Sequence, residues 1–204
     1  MAIISAIGAA LGYLALFAAI LWGMLFVGNG VTIPLMDAAG SAAPLKAVCV
    51  DLGLLLLPAV LHRSMSRTRL PASTKAWAAA VVLALIYLGW QPLPQALWQA
   101  SGPLQWMVSA LFYPAWTLIM IGAFLTAHSQ EPQTEGALGT LAGPLYCGIL
   151  MAAWATSVMT VGHLLLAVAV TAYLVFDILW ALRKSGAATA PRRAFSFQRQ
   201  RVAR

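Results

Sequence analysis

Residues 141–156 read LAGPLYCGILMAAWAT, an apolar stretch that contains no charged residue. A helix over this stretch is about 24 Å long at 1.5 Å per residue, whereas the hydrocarbon core of a bilayer is about 30 Å thick. This stretch decides the fold, because its crossing or not crossing the membrane sets the number of spans. It also sets the side of the membrane on which the chain ends.

The whole chain is strongly apolar. Of its 204 residues, 62% are hydrophobic and 8% are charged, whereas a soluble domain carries about 25% charged residues. A chain with so few polar residues cannot cover its own surface, so lipid must cover it. The composition therefore predicts an all-α, polytopic transmembrane helical bundle.

Five further apolar regions meet or approach the length of about 20 residues that a spanning helix needs. They cover residues 2–27, 45–62, 76–91, 104–127 and 159–182. With 141–156 as a shorter sixth region, we predict a bundle of five or six helices, with both termini cytoplasmic if there are six.

The basic residues favour the even number. Eleven of the twelve Lys and Arg residues lie either in the loop after the second region or in the C-terminal tail, which six spans place on one side. The positive-inside rule makes that side cytoplasmic. We therefore predict an integral protein of a bacterial cytoplasmic (inner) membrane, with a transmembrane domain over residues 1–184 and a basic cytoplasmic tail over residues 185–204.

Two features predict contacts with lipid or with a partner chain. Gly8 and Gly12 form a small-xxx-small pattern, which permits close helix contact either inside the bundle or with a partner subunit. The tail is basic and carries two phenylalanines, which suits the anionic inner leaflet or an acidic partner subunit. Its predicted contact residues are Arg192, Arg193, Phe195, Phe197, Arg199 and Arg201. No nucleic-acid partner is expected.

Five polar side chains are predicted at helix ends or inside helices. His62 and His128 lie at the cytoplasmic ends of the second and fourth regions and His163 near the outer face, so the three cannot converge on one metal. An acidic residue inside a bilayer is costly and is by default a hypothesis for a functional site. Asp51 could pair with Lys46. Asp177 could be neutralised by Arg63 or His128, and a polar site re-formed around Asp177 is the best route to an enzyme.

Four stretches resemble one protein family. They are Phe26–Asn29 followed by Ile33-Pro34, then Leu61–Arg67, then Phe124–His128, and above all Trp154–Leu165. They are similar to the methanethiol S-methyltransferase family, a branch of the isoprenylcysteine carboxyl methyltransferase-like membrane enzymes. The resemblance implies a helical membrane fold that binds S-adenosylmethionine on its cytoplasmic side. It also implies an Arg-His-Pro-x-Tyr-x-Gly motif and a Glu-Glu pair at the end of the last helix.

This chain lacks the charged residues of that motif. The family's Arg and His fall on Ala142 and Gly143, and its Glu pair falls on Ala181 and Leu182. Each lost charged contact is worth about 1.5–3 kcal/mol, and each 1.4 kcal/mol is about tenfold in affinity. The sequence therefore favours a non-catalytic accessory or structural subunit of a larger membrane complex, of respiratory or photosynthetic type. No catalytic residue, metal or cofactor is expected under this hypothesis.

The alternative is a working S-adenosylmethionine-dependent membrane methyltransferase that acts on a small thiol or a lipophilic substrate. The resemblance then makes Pro144, Tyr146 and Gly148 cofactor-binding residues, with Tyr146 lining the pocket. Asp177 and Arg183 would stand in for the lost charged groups.

Overall fold

The computed structural model describes residues 2–28, 35–37, 43–65, 68, 70–128 and 142–202. Within these ranges it does not describe the side chains of residues 2, 4, 35, 126–128, 142 and 184–202.

The described chain is an all-α transmembrane bundle, as predicted. Five of its helices are long and apolar enough to cross a membrane, and a sixth is shorter. The helices are α1 Ala2–Val27, α2 Pro44–Met65, α3 Ala72–Gly89, α4 Pro103–His128, α5 Ala142–Trp154 and α6 Val161–Val202, with a short 3-10 turn over Leu35–Asp37. These bounds confirm an integral membrane protein.

Two short strands, which the sequence did not predict, lie outside the helices. Strand β1 covers Ala96–Gln99 before α4, and strand β2 covers Val158–Thr160 between α5 and α6. They pair antiparallel, with Gln99 opposite Val158 and Trp98 opposite Met159. Because β1 precedes α4 and β2 follows α5, this pairing brings the start of α4 and the end of α5 to one end of the bundle.

The strand pairing explains how the short α5 completes a crossing. Its 13 residues cover about 20 Å of helix, and residues 155–160, which end in strand β2, connect it to α6. Their backbone is hydrogen-bonded inside the protein, as irregular structure at membrane depth requires. The Ala100 N–H donates to the Ser157 carbonyl at 2.7 Å, and the Gly162 N–H donates to the Leu93 carbonyl at 3.1 Å. The part of α6 around Tyr173 lies on the same side as the end of α2, because Tyr173 contacts His62. We call this side, which the basic residues predict to be cytoplasmic, the inner end.

Small residues set the helix contacts. A Cβ atom at Gly148 of α5 would lie 2.7 Å from the Ala115 carbonyl oxygen of α4, and one at Gly122 of α4 would lie 2.6 Å from the Leu145 backbone nitrogen of α5. Helices α4 and α5 therefore approach each other backbone to backbone. On the other side of the bundle α1 packs on α3, and α6 contacts both α5 and α2.

A buried polar cluster lies beside the two strands, at the outer end. The Thr160 hydroxyl donates to the Asp37 carboxylate at 2.9 Å and accepts the His163 backbone N–H at 3.0 Å. The His163 Nε2–H donates to the Ala153 carbonyl at 3.0 Å. These contacts join the 3-10 turn, β2 and the start of α6 into one unit, which we call the outer polar cluster.

Asp51 does not pair with Lys46, the partner that the sequence suggested. Its carboxylate is fully buried and accepts the Gln91 backbone N–H at 2.8 Å, while its second oxygen has no partner among the described residues. A backbone donor at the end of α3 thus replaces the predicted cation. Lys46 itself lies on the exposed face of α2.

Adding a methyl group at the α4–α5 contact should destabilise the fold. We expect Gly148→Ala and Gly122→Ala to lower the free energy of unfolding by about 1–3 kcal/mol, because the new Cβ meets backbone atoms that cannot move aside. Gly53→Ala is the matched control, since a Cβ there has nothing within 4 Å. Unfolding of the detergent-solubilised protein measures all three. An equal response of the three variants would contradict this account of the contact.

The outer polar cluster should make stability depend on pH. Burial raises the pKa of the Asp37 carboxyl above its ordinary value, while the hydrogen bond from Thr160 lowers it by a smaller amount. The folded protein therefore holds this proton more tightly than the unfolded chain. Its free energy of unfolding should fall as the pH rises from the ordinary pKa through the raised one.

Asp37→Asn tests this dependence, because it keeps an acceptor for the Thr160 hydroxyl and removes the charge. We expect this variant to lose the decline in melting temperature that begins as the pH rises past the ordinary pKa of about 4. Thr160→Val removes the hydrogen bond that lowers the pKa of Asp37, so the decline should continue to a higher pH. Melting curves that stay parallel for all three proteins would contradict the assignment.

Candidate functional site

The inner half of α6 presents a row of aromatic and acidic side chains. Tyr173, Phe176, Asp177 and Trp180 are spaced three and four residues apart, which places them on neighbouring positions of one helix face. Helix α6 contacts α5 and α2, so this row can meet residues from both helices.

On the α5 side, Tyr146 meets Asp177. The Tyr146 hydroxyl donates to Oδ2 of Asp177 at 2.7 Å, and both residues are half-buried. Tyr146 lies in the second turn of α5, close to the free N–H groups of the helix start. Among the described residues, nothing lies within 4 Å of the position that a Cβ atom at Gly143, in the first turn, would take. A carboxylate, a phenol and a helix N-terminus are thus grouped beside open space.

On the α2 side, Tyr173 meets His62. The Tyr173 hydroxyl lies 2.9 Å from Nδ1 of His62, which is exposed at the last turn of α2. The neighbouring Arg63 guanidinium lies 4.2 Å from the centre of the Trp180 ring and 5.3 Å from that of Phe176. The two rings are stacked with their centres 6.2 Å apart. A guanidinium over aromatic rings is an attractive cation–π arrangement.

These contacts form one group at the inner end, which we call the inner cluster. It consists of His62, Arg63, Tyr146, Tyr173 and Asp177, with the Phe176 and Trp180 rings beside them. It contains an acidic group, a fixed cation, an imidazole and two phenols at the membrane boundary. Such a set can bind a zwitterionic ligand and can move a proton.

The structure brings together some of the residues that the sequence predicted as a cofactor site and separates others. Tyr146 and Asp177 are in direct contact, and Pro144 lies half-buried in the first turn of α5. Gly148 is different, because it faces the α4 backbone. Its missing side chain serves this helix packing, and its role as a cofactor contact stays a prediction. Arg183 is exposed six residues beyond Asp177, about 9 Å along the helix.

The predicted partner-contact residues have mixed outcomes. Gly12 is buried against Trp77 of α3, whose indole ring a Cβ at Gly12 would approach to 2.7 Å. Gly12 therefore makes a close contact inside the bundle, which is one of the two alternatives that its pattern left open, and a contact of Gly12 with lipid or a partner stays a prediction. The carbonyl of Gly8 accepts the Trp77 indole N–H at 3.1 Å. Contact of Gly8 with lipid or a partner stays a prediction. The side chains of Arg192, Arg193, Phe195, Phe197, Arg199 and Arg201 lie outside the described residues.

The two histidines with described side chains, His62 and His163, lie at opposite ends of the bundle. His163 belongs to the outer polar cluster and His62 to the inner cluster, while the side chain of His128 lies outside the described residues. Within the described part of the chain, no three His, Cys, Asp or Glu residues lie close enough to hold a metal ion. Asp177 is bonded to Tyr146, a partner that the sequence did not suggest.

The sequence reasoning missed Tyr173, Phe176 and Trp180 as members of the site. Their signal was their spacing from Asp177 on α6, because three- and four-residue steps share a helix face. No sequence signal joins Tyr173 to His62, since 111 residues separate them.

The chain is similar to several bacterial proteins. It is 33% identical to the methanethiol S-methyltransferase of Pseudomonas deceptionensis, with 72% of this chain and 69% of that protein covered. It is 31% identical to the protein of that name from Mycobacterium tuberculosis, with 81% of each covered. It is 28% identical to methanethiol S-methyltransferase 2 of Bradyrhizobium diazoefficiens, with 81% of this chain and 76% of that protein covered. No family model and no solved structure matches the chain.

These similarities overturn the prediction of a non-catalytic accessory subunit, which is wrong. Relatives that match most of the chain are all named as methyltransferases. The prediction gave most weight to the charged residues missing from one motif. It considered Asp177 as a replacement, but it did not include the aromatic side chains of the inner cluster, such as Tyr173 and Trp180. Association with partner subunits stays a prediction.

The hydrogen bond between Tyr146 and Asp177 should be measurable as a coupling energy. We expect Tyr146→Phe and Asp177→Asn each to destabilise the protein and the double variant to lose less than their sum. A hydrogen bond to a charged group is worth about 1.5–3 kcal/mol, so the coupling should be of that order. Unfolding of the four proteins in detergent measures it.

Tyr113→Phe in place of Tyr146→Phe is the control for this cycle. Tyr113 is an exposed residue of α4, and its ring contacts Phe112 rather than the inner cluster. Its coupling with Asp177→Asn should be near zero. Equal coupling of the two tyrosines with Asp177 would contradict the contact.

Proposed function

This chain belongs to the methanethiol S-methyltransferase family, and we propose that it transfers a methyl group from S-adenosylmethionine to a small thiol. The relatives are named for methanethiol, and a thiol of that size is the substrate class proposed here. The reaction takes place at the inner end of the bundle, where the cofactor arrives from the cytoplasm.

The inner cluster has the donors and acceptors that this cofactor needs. The Asp177 carboxylate suits the cofactor's ammonium group or its ribose hydroxyls, because two carboxylate oxygens can accept about four hydrogen bonds. The N–H groups in the first turn of α5 suit its carboxylate, since a helix N-terminus favours an anion. The open space beside Gly143 leaves room there for a ligand group larger than the residue itself.

The bound cofactor supplies an electrophilic methyl group on a positively charged sulfur. The protein's part is to hold and orient both reactants. Tyr146 fixes the Asp177 carboxylate by its hydrogen bond of 2.7 Å, which keeps that side chain in one rotamer. A fixed carboxylate near the reacting centre also favours a positive ligand through charge attraction. The aromatic rings of α6 offer faces on which a flat or cationic ligand can rest.

A small thiol can reach the inner cluster from the membrane. Phe176 and Trp180 are 53% and 42% exposed on the bundle surface, and the helices around them face lipid. An apolar thiol concentrates in the bilayer, whereas the charged cofactor stays in water. The boundary position of the cluster lets each reactant approach from its own phase.

The Tyr146–Asp177 contact carries the proposal. It puts a carboxylate at the start of α5, where the family motif has its charged residues and this chain has Ala142 and Gly143. A carboxylate supplied by α6 can serve the cofactor in place of groups that the motif lacks. This supports a working site in spite of the lost motif residues.

Calorimetry on the purified, detergent-solubilised protein tests the proposal. We expect S-adenosylmethionine to bind with micromolar affinity and methanethiol to be methylated. Asp177→Asn should weaken cofactor binding about 10–100-fold, because it removes a charge-assisted hydrogen bond worth about 1.5–3 kcal/mol.

Asp51→Asn is the matched control. It makes the same chemical change in a buried carboxylate of α2 that bonds to Gln91 at the outer end, so cofactor binding should not change. No binding of S-adenosylmethionine and no methylated thiol from the wild-type protein would refute the proposal. Equal losses in the two variants would refute the role given to Asp177.

A further inference from the structure

Methylation of a thiol requires the removal of the thiol proton, which the cofactor does not accept. The thiolate is the reactive nucleophile, and an ordinary thiol with a pKa of about 8.5 or higher is mostly protonated at neutral pH. The enzyme therefore gains from a side chain that takes the thiol proton as the sulfur attacks. Histidine suits this task, because its ordinary pKa lies near neutrality.

The inner cluster contains one described histidine. His62 is exposed at the end of α2, beside the aromatic row of α6. The other histidine with a described side chain, His163, is buried at the outer end with its Nε2–H bonded to the Ala153 carbonyl. The two histidines thus differ in their position in the bundle. Because His62 is exposed, it can return a proton to the cytoplasm.

Resting on the proposed function, we infer that His62 is the general base that removes the thiol proton, and that Tyr173 orients it. In this arrangement the Nδ1–H of His62 donates to the Tyr173 hydroxyl oxygen over 2.9 Å. Nε2 is then left without a proton and faces away from Tyr173. A base held by a second group is the usual arrangement in nucleophilic catalysis.

The proposed step balances in atoms and electrons. The S–H bond of the thiol breaks, and its proton passes to Nε2 of His62. The electron pair left on the thiol sulfur forms the new bond to the methyl carbon. The bond between that carbon and the cofactor's sulfonium breaks, and the sulfonium sulfur keeps its electron pair. A neutral thioether and S-adenosylhomocysteine result, and His62 then releases the proton to water.

Other charged side chains lie near His62. Arg63 lies next to it on α2, and the Tyr173 hydroxyl feels the opposing charges of Arg63 and Asp177. Lys75 lies in the first turn of α3, the helix that packs on α2 at this end. The cations can stabilise a developing thiolate, since nearby positive charge favours that form.

A comparison of two thiols of different acidity distinguishes a role of His62 in proton removal from any other role of this residue. An alkyl thiol such as methanethiol needs a base at pH 7, whereas pentafluorothiophenol is already ionised. We expect His62→Gln to slow methylation of the alkyl thiol at least about 100-fold, the usual contribution of general base catalysis. Methylation of the ionised aryl thiol should stay within about threefold of wild type. Tyr173→Phe should give a smaller loss of the same selectivity.

Ser64→Ala is the local control. Ser64 lies two residues along the same helix end, and its hydroxyl donates to the Val60 carbonyl of its own helix at 2.8 Å. Both thiols should be methylated at wild-type rates. If His62→Gln slows the two thiols equally, or slows neither, the inference is wrong.

A spectroscopic readout tests the same inference without turnover. The ¹⁵N chemical shifts of labelled histidine distinguish a protonated Nδ1 from a protonated Nε2. We expect neutral His62 to carry its proton on Nδ1 in the wild-type protein and to lose this preference in Tyr173→Phe. A proton on Nε2 in the wild type would contradict the arrangement.

The failure of this inference is distinguishable from that of the proposed function. A wild-type protein that neither binds S-adenosylmethionine nor methylates the ionised aryl thiol refutes the proposed function. A wild-type protein that methylates both thiols, with His62→Gln keeping the ratio of the two rates, refutes only the role of His62.

Discussion

The backbone of residues 155–162 must find hydrogen-bond partners inside a membrane, and the rest of the fold depends on how it does so. Lipid offers no partners, and α5 is too short to cross alone. The segment before α4 supplies them, through strand β1 and the carbonyls of Leu93 and Gln95. This pairing fixes α5 antiparallel to α4. It also reverses the chain into α6, so the start of α5 and the second half of α6 lie at the same end.

That arrangement creates the inner cluster. Tyr146 sits near the start of a short helix, and Asp177 sits deep in a long one, yet the reversal at β2 brings their side chains to 2.7 Å. The other flank of α6 meets the end of α2, where His62 and Arg63 contact Tyr173 and Trp180. Helix α6 therefore supplies one row of side chains to two neighbours. The chemical groups of the cluster come from three helices and from no single motif.

The hydropathy and charge of the sequence predicted much of the fold, but they predicted less of the candidate site. The apolar runs predicted five of the six helices to within about a turn, whereas α6 extends to Val202, far beyond its predicted end at residue 182. That the chain crosses the membrane six times stays a prediction from the basic residues. Strand β2 was not predicted, because its three residues, Val158–Thr160, have no pattern that distinguishes them from a helix end. The motif around Tyr146 was interpreted from the sequence alone. The absence of its charged residues was therefore taken as the absence of a cofactor site. Asp177 had been weighed as a replacement, but its bond to Tyr146 depends on a tertiary contact that no spacing reveals.

Hydrogen–deuterium exchange of the full chain in lipid nanodiscs, with and without S-adenosylmethionine, tests the central claim most directly. If the site lies where α5 begins beside α6, the cofactor should protect the backbone amides of residues 143–148 and 173–180. The amides around the outer polar cluster should not change. No protection in those two segments, or protection confined to the outer end, would contradict the account.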